Sequence, residues 1–282
     1  MDKQYITNAV SKLVLYDPGN FISAEDAITP ELAGMKIFDE PLVGIADASD
    51  RCFAELKDPD IIGEHFLPPT EWLNGAKSVV SVFFPFSDIV KKSNRTNMNL
   101  PSNEWLHSRS EGQKFINTVC IQLKQMFEVE NHACVIPPFD ERFSMGSPYT
   151  KDRAQQQFYT SNWSERHVAY VCGLGTFGLS RGLITEKGIA GRFASFITDV
   201  KISPDTRLYT EFNEYCTMCG ACIKNCPVNA ISFENGKIHS VCSDFLDETM
   251  AQYKPRYACG KCQVKVPCEN GIPTGKRRGA LV

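Results

Sequence analysis

No stretch of this 282-residue sequence is apolar for long enough to cross a bilayer: the longest run, Val79 to Phe86, is broken by Ser81 and stopped by Pro85, against the ~18 to 20 residues a span requires. A membrane span is excluded. The first fifteen residues lack a basic n-region, a small-residue cleavage site and a twin-arginine pair, and show only an amphipathic pattern of Ile6, Val10 and Leu13, so the chain reads as cytoplasmic. Neither charge dominates, with 30 Lys and Arg against 33 Asp and Glu, which argues against a protein built to grip phosphate backbones. Repeats and low-complexity linkers are missing too, and 43% hydrophobic residues exclude disorder.

Cysteine is what the sequence has in quantity. Cys52, Cys120, Cys134 and Cys172 are scattered, whereas Cys216, Cys219, Cys222, Cys226, Cys242, Cys259, Cys262 and Cys268 crowd into the last quarter. A disulfide framework belongs to short secreted chains, and this one is long enough to bury a core without staples. Cys216-x-x-Cys219-x-x-Cys222-x-x-x-Cys226-Pro227 is the spacing of ferredoxins, in which three thiolates wrap one cubane cluster and the fourth reaches a second. Structural zinc, the alternative, prefers two ligand pairs separated by a longer loop. Two 4Fe-4S clusters need eight thiolates, and the eight clustered cysteines meet that number. The crossing pattern groups Cys216, Cys219 and Cys222 with Cys268, and Cys226 with Cys242, Cys259 and Cys262.

Around these motifs the elements are readable. Ile231 to Ile238 suggests two short strands turning at Asn235-Gly236, and Val241 to Tyr253 a helix. Upstream, Leu42–Ala46, Ser78–Phe84 and His132–Ile136 read as buried strands. Ser102 is a plausible N-cap for a long helix whose apolar face carries Phe115, Val119, Cys120, Leu123 and Phe127. Leu183–Thr185 and Arg192–Ile197 suggest a further strand pair around Gly188. The expected fold is an α/β (α+β) sandwich over residues 1–204, then a small two-cluster ferredoxin-like domain over 205–282, with a hinge at Pro204. Gly173-Leu-Gly175-Thr-Phe-Gly178 satisfies the dinucleotide fingerprint literally. Its order is nonetheless helix, glycine turn, strand, with Asn162-x-x-Glu165 as a capping arrangement before the helix. These glycines either end a helix while letting backbone approach a bulky ligand, or simply cap it.

Taken together, Glu165-Arg166-x-x-Ala169-x-x-x-Gly173-Leu174-Gly175-x-x-Gly178, then Leu183-Ile184 and the eight cysteines in this order, resemble the epoxyqueuosine reductases and, more distantly, the reductive dehalogenases. Val43–Ala46 and Gly75–Val79 extend the likeness from about residue 42 to Pro273. The resemblance implies a nitroreductase-like domain holding cobalamin, with Arg166, Gly173, Leu174, Gly175, Phe177, Gly178, Leu183 and Ile184 at the cofactor, and a two-cluster module delivering electrons to it. It also implies an anaerobic setting, with reduced ferredoxin or flavodoxin as electron donor.

The departures from the family pattern bear on the substrate. Where epoxyqueuosine reductases place a proton-donating aspartate, six residues before the Glu-Arg pair, this chain has Tyr159; reductive dehalogenases employ a tyrosine as acid. Tyr159 is therefore the candidate catalytic residue, with a packing role as the alternative. The Cys262 to Cys268 segment is two residues longer than the family's, and the sequence stops fourteen residues after Cys268 at Val282, without helical repeats, which argues against a tRNA substrate. A cytoplasmic reductase of a small molecule is the leading expectation. A non-catalytic electron carrier or corrinoid-reducing partner and a flavin enzyme are the alternatives.

Overall fold

The computed structural model describes residues 1–148 and 150–275, with every side chain among them except that of Gln157; the basic Lys276-Arg277-Arg278 segment lies outside the described residues. In chain order the elements are α1 (Lys3–Tyr16), β1 (Leu42–Asp47), α2 (Arg51–Glu55), α3 (Pro69–Trp72), β2 (Ser78–Pro85), α4 (Asp88–Ser93), α5 (Asn103–Val129), β3 (Cys134–Val135), α6 (Glu165–Val171), β4 (Gly175–Phe177), β5 (Leu183–Thr185), β6 (Gly191–Thr198), α7 (Ala221–Lys224), β7 (Ile231–Ser232), β8 (Gly236–Lys237) and α8 (His239–Tyr253). The main sheet runs β1-β2-β6-β3, and all its pairings are antiparallel. The fold is mixed α and β with the strands arranged as in α+β proteins.

Every residue of β2 is buried because helices cover both faces of the sheet. Val80, Val82 and Phe84 join Ala194 and Phe196 under α1 and α5. On the opposite face Val79 and Ile197 meet α2, α3 and α6, with Trp163 stacked on Phe66 at 5.8 Å between centroids. The face of α5 predicted from its spacing is buried as expected, and Ser102 Oγ caps it by accepting from the Trp105 N–H at 3.2 Å. Cys120 and Cys134 belong to this core, as small apolar residues do.

Three local expectations are corrected. Leu183–Thr185 does not pair with Arg192–Ile197: β5 pairs with β4, while β6 lies between β2 and β3. The apolar side chains on both faces of β6 require an interior position that a three-residue edge strand cannot offer. Asn162 caps no helix. Its amide is buried, accepting from Ser144 N–H at 2.9 Å and donating to the Arg142 carbonyl at 2.8 Å, and the residue before α6, Ser164, makes no side-chain cap. In the 231–238 hairpin, Ser232 faces Gly236, so the loop is Phe233 to Asn235 and Gly236 takes φ 59° at its end.

Past Pro204 the chain is pinned to the sheet. Asp205 accepts from Lys3 Nζ at 2.7 Å and from the Ile45 N–H at 2.9 Å, and Arg207 binds Asp50 at 2.6 Å. Ala258 and Val264 enter the main core. No helix among the described residues is long and apolar enough to cross a membrane.

Candidate metal centre and the adjoining concavity

Cys216, Cys219, Cys222 and Cys268 line one small cavity, walled by Gly178, Ile184, Ile189 and Val266. Each thiol is held by a different contact. Thr176 Oγ1 on β4 accepts from the Tyr215 N–H at 2.8 Å, fixing the entry to Cys216. Met218 and Gly220 bend the backbone through positive φ, 53° and 75°, so that Cys216, Cys219 and Cys222 face inward together. Cys268 arrives from 46 residues beyond Cys222 and is held because its carbonyl accepts from Ile189 N–H at 2.9 Å. The next residue, Glu269, anchors that turn: its carboxylate accepts from Arg95 at 2.7 Å and from the Lys265 N–H at 2.9 Å.

Cys226, Cys242, Cys259 and Cys262 form the second group, close enough for Cys242 and Cys226 to disfavour the Cys262 thiolate. Asn225 Nδ2 donates to the Val264 carbonyl at 2.8 Å, tying the two cysteine runs together. The Ala230 N–H donates to Cys226 Sγ at 3.2 Å. Asn94, after α4, donates to the Cys259 carbonyl at 2.9 Å and receives the Lys261 ammonium at 2.6 Å on Oδ1 and 2.8 Å on its carbonyl. Gly260, at φ 71°, lies where a Cβ would enter the Trp105 indole on α5. Lys261 is fully buried, and neither it nor Asn94 carries a sequence motif that reveals this.

The chemistry of this donor set fits iron–sulfur clusters. Burial, then repulsion from neighbouring thiols, pushes Cys222 and Cys268 up to about 12, and burial does the same to Cys259. Empty, such thiols stay protonated at neutral pH, so only a thiophilic metal stabilises them as thiolates. Among the described residues no three His, Cys, Asp or Glu side chains are gathered tightly enough for one metal ion; the first group lies instead around a cavity. Cys222 also lies near enough to Cys262 for the two to repel when ionised, so the groups adjoin.

Beside Cys242 and Cys262 stands a group of cationic and aromatic side chains. Arg166 on α6 is solvent-exposed at its tip; packing of protein around it is the largest cause lowering its pKa, Cys262 and Cys242 oppose that shift, and Arg109 adds to it. Arg192 lies there too, lowered to about 9 by burial and then by Arg109. His239 is lowered to about 3 by burial and then by Lys237, Arg181 and Arg166. Tyr159 is on its edge, 6.0 Å from the His239 ring. The Tyr159 hydroxyl and Arg109 Nε are buried without a hydrogen-bond partner among the described residues, although the Arg153 cation is near enough to interact with Tyr159. Such orphaned polar atoms suit a bulky ligand rich in amides and oxygens.

The glycine motif does different work from that expected of a ligand loop. Gly173, at φ 82°, ends α6: its N–H donates to Tyr170 and the Leu174 N–H to Ala169, the Schellman arrangement. Leu174 and Leu183 are buried against Phe83 and Ala169. At Gly175 a Cβ would run into the Ile184 carbonyl across the β4–β5 pair. Phe177 lies tilted against His167, with ring centroids 4.8 Å apart. Packing thus accounts for Gly173, Leu174, Gly175 and Leu183, whereas Gly178 and Ile184 border the thiol cavity and Arg166 lies near Cys242 and Cys262. Arg109 and Arg192 were missed by sequence reading, because lone arginines within apolar patterns give no signal. Among the aromatics, Phe84, Phe86 and Trp163 are core and Phe139 is exposed.

A family profile described as a 4Fe-4S binding domain matches residues 210–232, the segment from Cys216 to Cys226. A tetrachloroethene reductive dehalogenase of Desulfitobacterium hafniense is 38% identical over 68 residues, 24% of this chain and 12% of that protein. An epoxyqueuosine reductase of Staphylococcus aureus is 30% identical over 122 residues, 39% of this chain and 31% of that protein. Both matches therefore span a minor part of the relatives. In fold, the epoxyqueuosine reductase of Streptococcus thermophilus aligns over 98% of this chain and 68% of its own, with a TM-score of 0.53 at 13% identity. The chain carries a 4Fe-4S binding domain on a fold shared with epoxyqueuosine reductase, and the two enzyme groups its motifs resemble are both among its relatives.

Proposed function

We propose that this chain is an iron–sulfur reductase in which two 4Fe-4S clusters, on Cys216, Cys219, Cys222 and Cys268 and on Cys226, Cys242, Cys259 and Cys262, pass electrons to cobalamin for reduction of a small molecule. The observation that carries the reading is that Cys216, Cys219, Cys222 and Cys268 line one cavity, with the run holding Cys226 tied to the run holding Cys262 by the hydrogen bond from Asn225 to the Val264 carbonyl. A bound corrinoid supplies a cobalt centre that can be driven to a strongly reducing state. The protein's own residues do the rest. In this reading a nitroreductase-like sheet and its helices hold the cofactor, Arg166 and Arg109 offer it donors, and the Tyr159 hydroxyl, which is buried, gives a proton to the reduced substrate. Reduced ferredoxin or flavodoxin serves as the donor, and the setting is cytoplasmic.

The test is the metal content of protein purified without oxygen and then offered cobalamin. About eight irons per chain, matching sulfide and roughly one cobalt are expected. Eight irons with no cobalt retained would leave a two-cluster electron carrier and end the corrinoid reading.

A further inference from the structure

Burying a charge is costly unless an opposite charge meets it, and this chain follows the rule with one exception. Among the described residues the buried side chains that carry or can take a charge, thiols and phenols aside, are Lys91, His107, Glu111, Lys261 and Glu269. Lys91 pairs with Asp88 at 3.1 Å, Glu111 with His107 at 2.9 Å and with Arg256 at 3.0 Å, and Glu269 with Arg95 at 2.7 Å. Lys261, at 0% exposure, has no ion-pair partner among the described residues. Its ammonium meets neutral acceptors, the Asn94 carbonyl at 2.8 Å and Asn94 Oδ1 at 2.6 Å.

The surroundings hold that ammonium at the cysteines. The Asn94 amide can be oriented in one way only, because Nδ2 donates to the Cys259 carbonyl at 2.9 Å while Oδ1 also accepts from the Ser102 N–H at 3.1 Å, at the start of α5. One buried amide thus ties the Cys259 backbone to the Lys261 ammonium. Between those two residues Gly260 is seated on Trp105 of α5, where a Cβ would come within 2.1 Å of the ring, and Cys262 follows Lys261 directly. Lys224 and Lys265, the other lysines inside the cysteine runs, are exposed, where water and salt screen them.

A cubane cluster on four thiolates is an anion and gains a further negative charge when it takes an electron, so a desolvated cation beside it favours the reduced form. We propose that Lys261, fixed by Asn94, is the resident counter-charge of the second cluster: a positioning residue that raises the reduction potential of the iron on Cys226, Cys242, Cys259 and Cys262. The electron comes from the reduced ferredoxin or flavodoxin assigned above, which is oxidised as the cluster is reduced, and no bond forms or breaks. The inference rests on the two-cluster reading and not on the corrinoid.

The test is a stepwise anaerobic reduction of the full chain with its clusters in place, followed by the paramagnetic resonance of the reduced clusters and by visible absorbance, with iron counted for every variant. Two one-electron waves are expected in the wild type. Lys261→Met should lower one wave so that, at a fixed potential, the ratio of reduced to oxidised cluster falls at least ten-fold, about 59 mV for one electron, and should leave the other wave and the iron content alone. Lys12→Gln, which removes an exposed charge on α1, should move neither. Two unmoved waves in a fully loaded Lys261→Met chain overturn the inference and leave the two-cluster reading standing, whereas a single wave with about four irons in the wild type ends both. If Lys261→Met assembles no second cluster, Asn94→Asp, which sets a carboxylate of the same shape beside the ammonium, takes its place. Its wave should fall likewise; an unmoved wave, or loss of the cluster in this variant too, assigns the pair to structure alone and overturns the inference.

Discussion

Tyr159 and the cysteines show how differently single residues declare themselves. The Tyr159 hydroxyl is buried with no hydrogen-bond partner among the described residues, a position that costs stability unless something uses it. Tyr159→Phe should therefore leave folding and iron content unchanged, with stability within about 1 kcal/mol of the parent, and abolish turnover; a Phe variant with full activity would remove the tyrosine from the mechanism. The cysteines announce themselves because cluster chemistry demands a spacing, and Cys216, Cys219, Cys222 and Cys268 line one cavity. Asn94 and Lys261 were not, since a buried ammonium satisfied by an amide oxygen and a carbonyl depends on two segments 167 positions apart, and nothing in either segment alone announces the other. Arg109 and Arg192, which meet Tyr257 and Gln113, are illegible for the same reason.

At the scale of elements, periodicity predicts what depends on one face and fails where partners must be chosen. The 27 residues of α5 followed from apolar spacing and an N-cap, whereas the β4–β5 pair and the interior place of β6 depend on which strands find cover. Along α5 the residues at i, i+4 and i+8, Trp105, Arg109 and Gln113, meet Gly260, Tyr257 and Arg192, so this helix is the strut between sheet and cysteine module. Glu111 on the same helix fastens the joint. Its carboxylate accepts from Arg256 at 3.0 and 3.1 Å and from His107 Nδ1 at 2.9 Å; Nδ1 carries the proton because Nε2 accepts from the Ile28 N–H. Burial alone would raise the Glu111 pKa, but the hydrogen bonds from His107 and Arg256 outweigh it and hold it at about 2, below its ordinary 4.5. A depressed carboxylate stabilises the fold above its unfolded pKa and loses that contribution as pH falls through the folded one. Stability worth about 3 kcal/mol should thus be present at pH 6 and fade between 4.5 and about 2. Denaturant midpoints of wild type and Glu111→Gln should differ at pH 6 and converge toward pH 2.

For the whole molecule, apolar burial is unevenly spread. The sheet and its helices share a large continuous core, while the buried cluster beside the first thiol group is Ile184, Ile189 and Val266. So few side chains cannot offset the chain entropy of ordering the last quarter, and the metal must make up the difference. Chelating iron, or Cys219→Ala, is expected to release amide protection in residues 210–270 and to leave the β1-β2-β6-β3 sheet protected; hydrogen exchange that stays unchanged there would show that the segment stands without its clusters. The partition was visible in the cysteine distribution, although the hinge expected at Pro204 is a pinned crossing, because Asp205 and Arg207 find partners on β1 and before α2. The position of Cys268 has a further consequence, for synthesis. Cys216, Cys219 and Cys222 leave the ribosome first and wait for a wall of their cavity encoded 46 positions downstream of Cys222. By then α4, α5 and the main sheet have been free to fold, and the Ile189 N–H that anchors Cys268 is already in place. On the ligand set proposed above, nascent chains halted before residue 268 offer iron an incomplete seat, and cluster insertion there waits until Cys268 has been made.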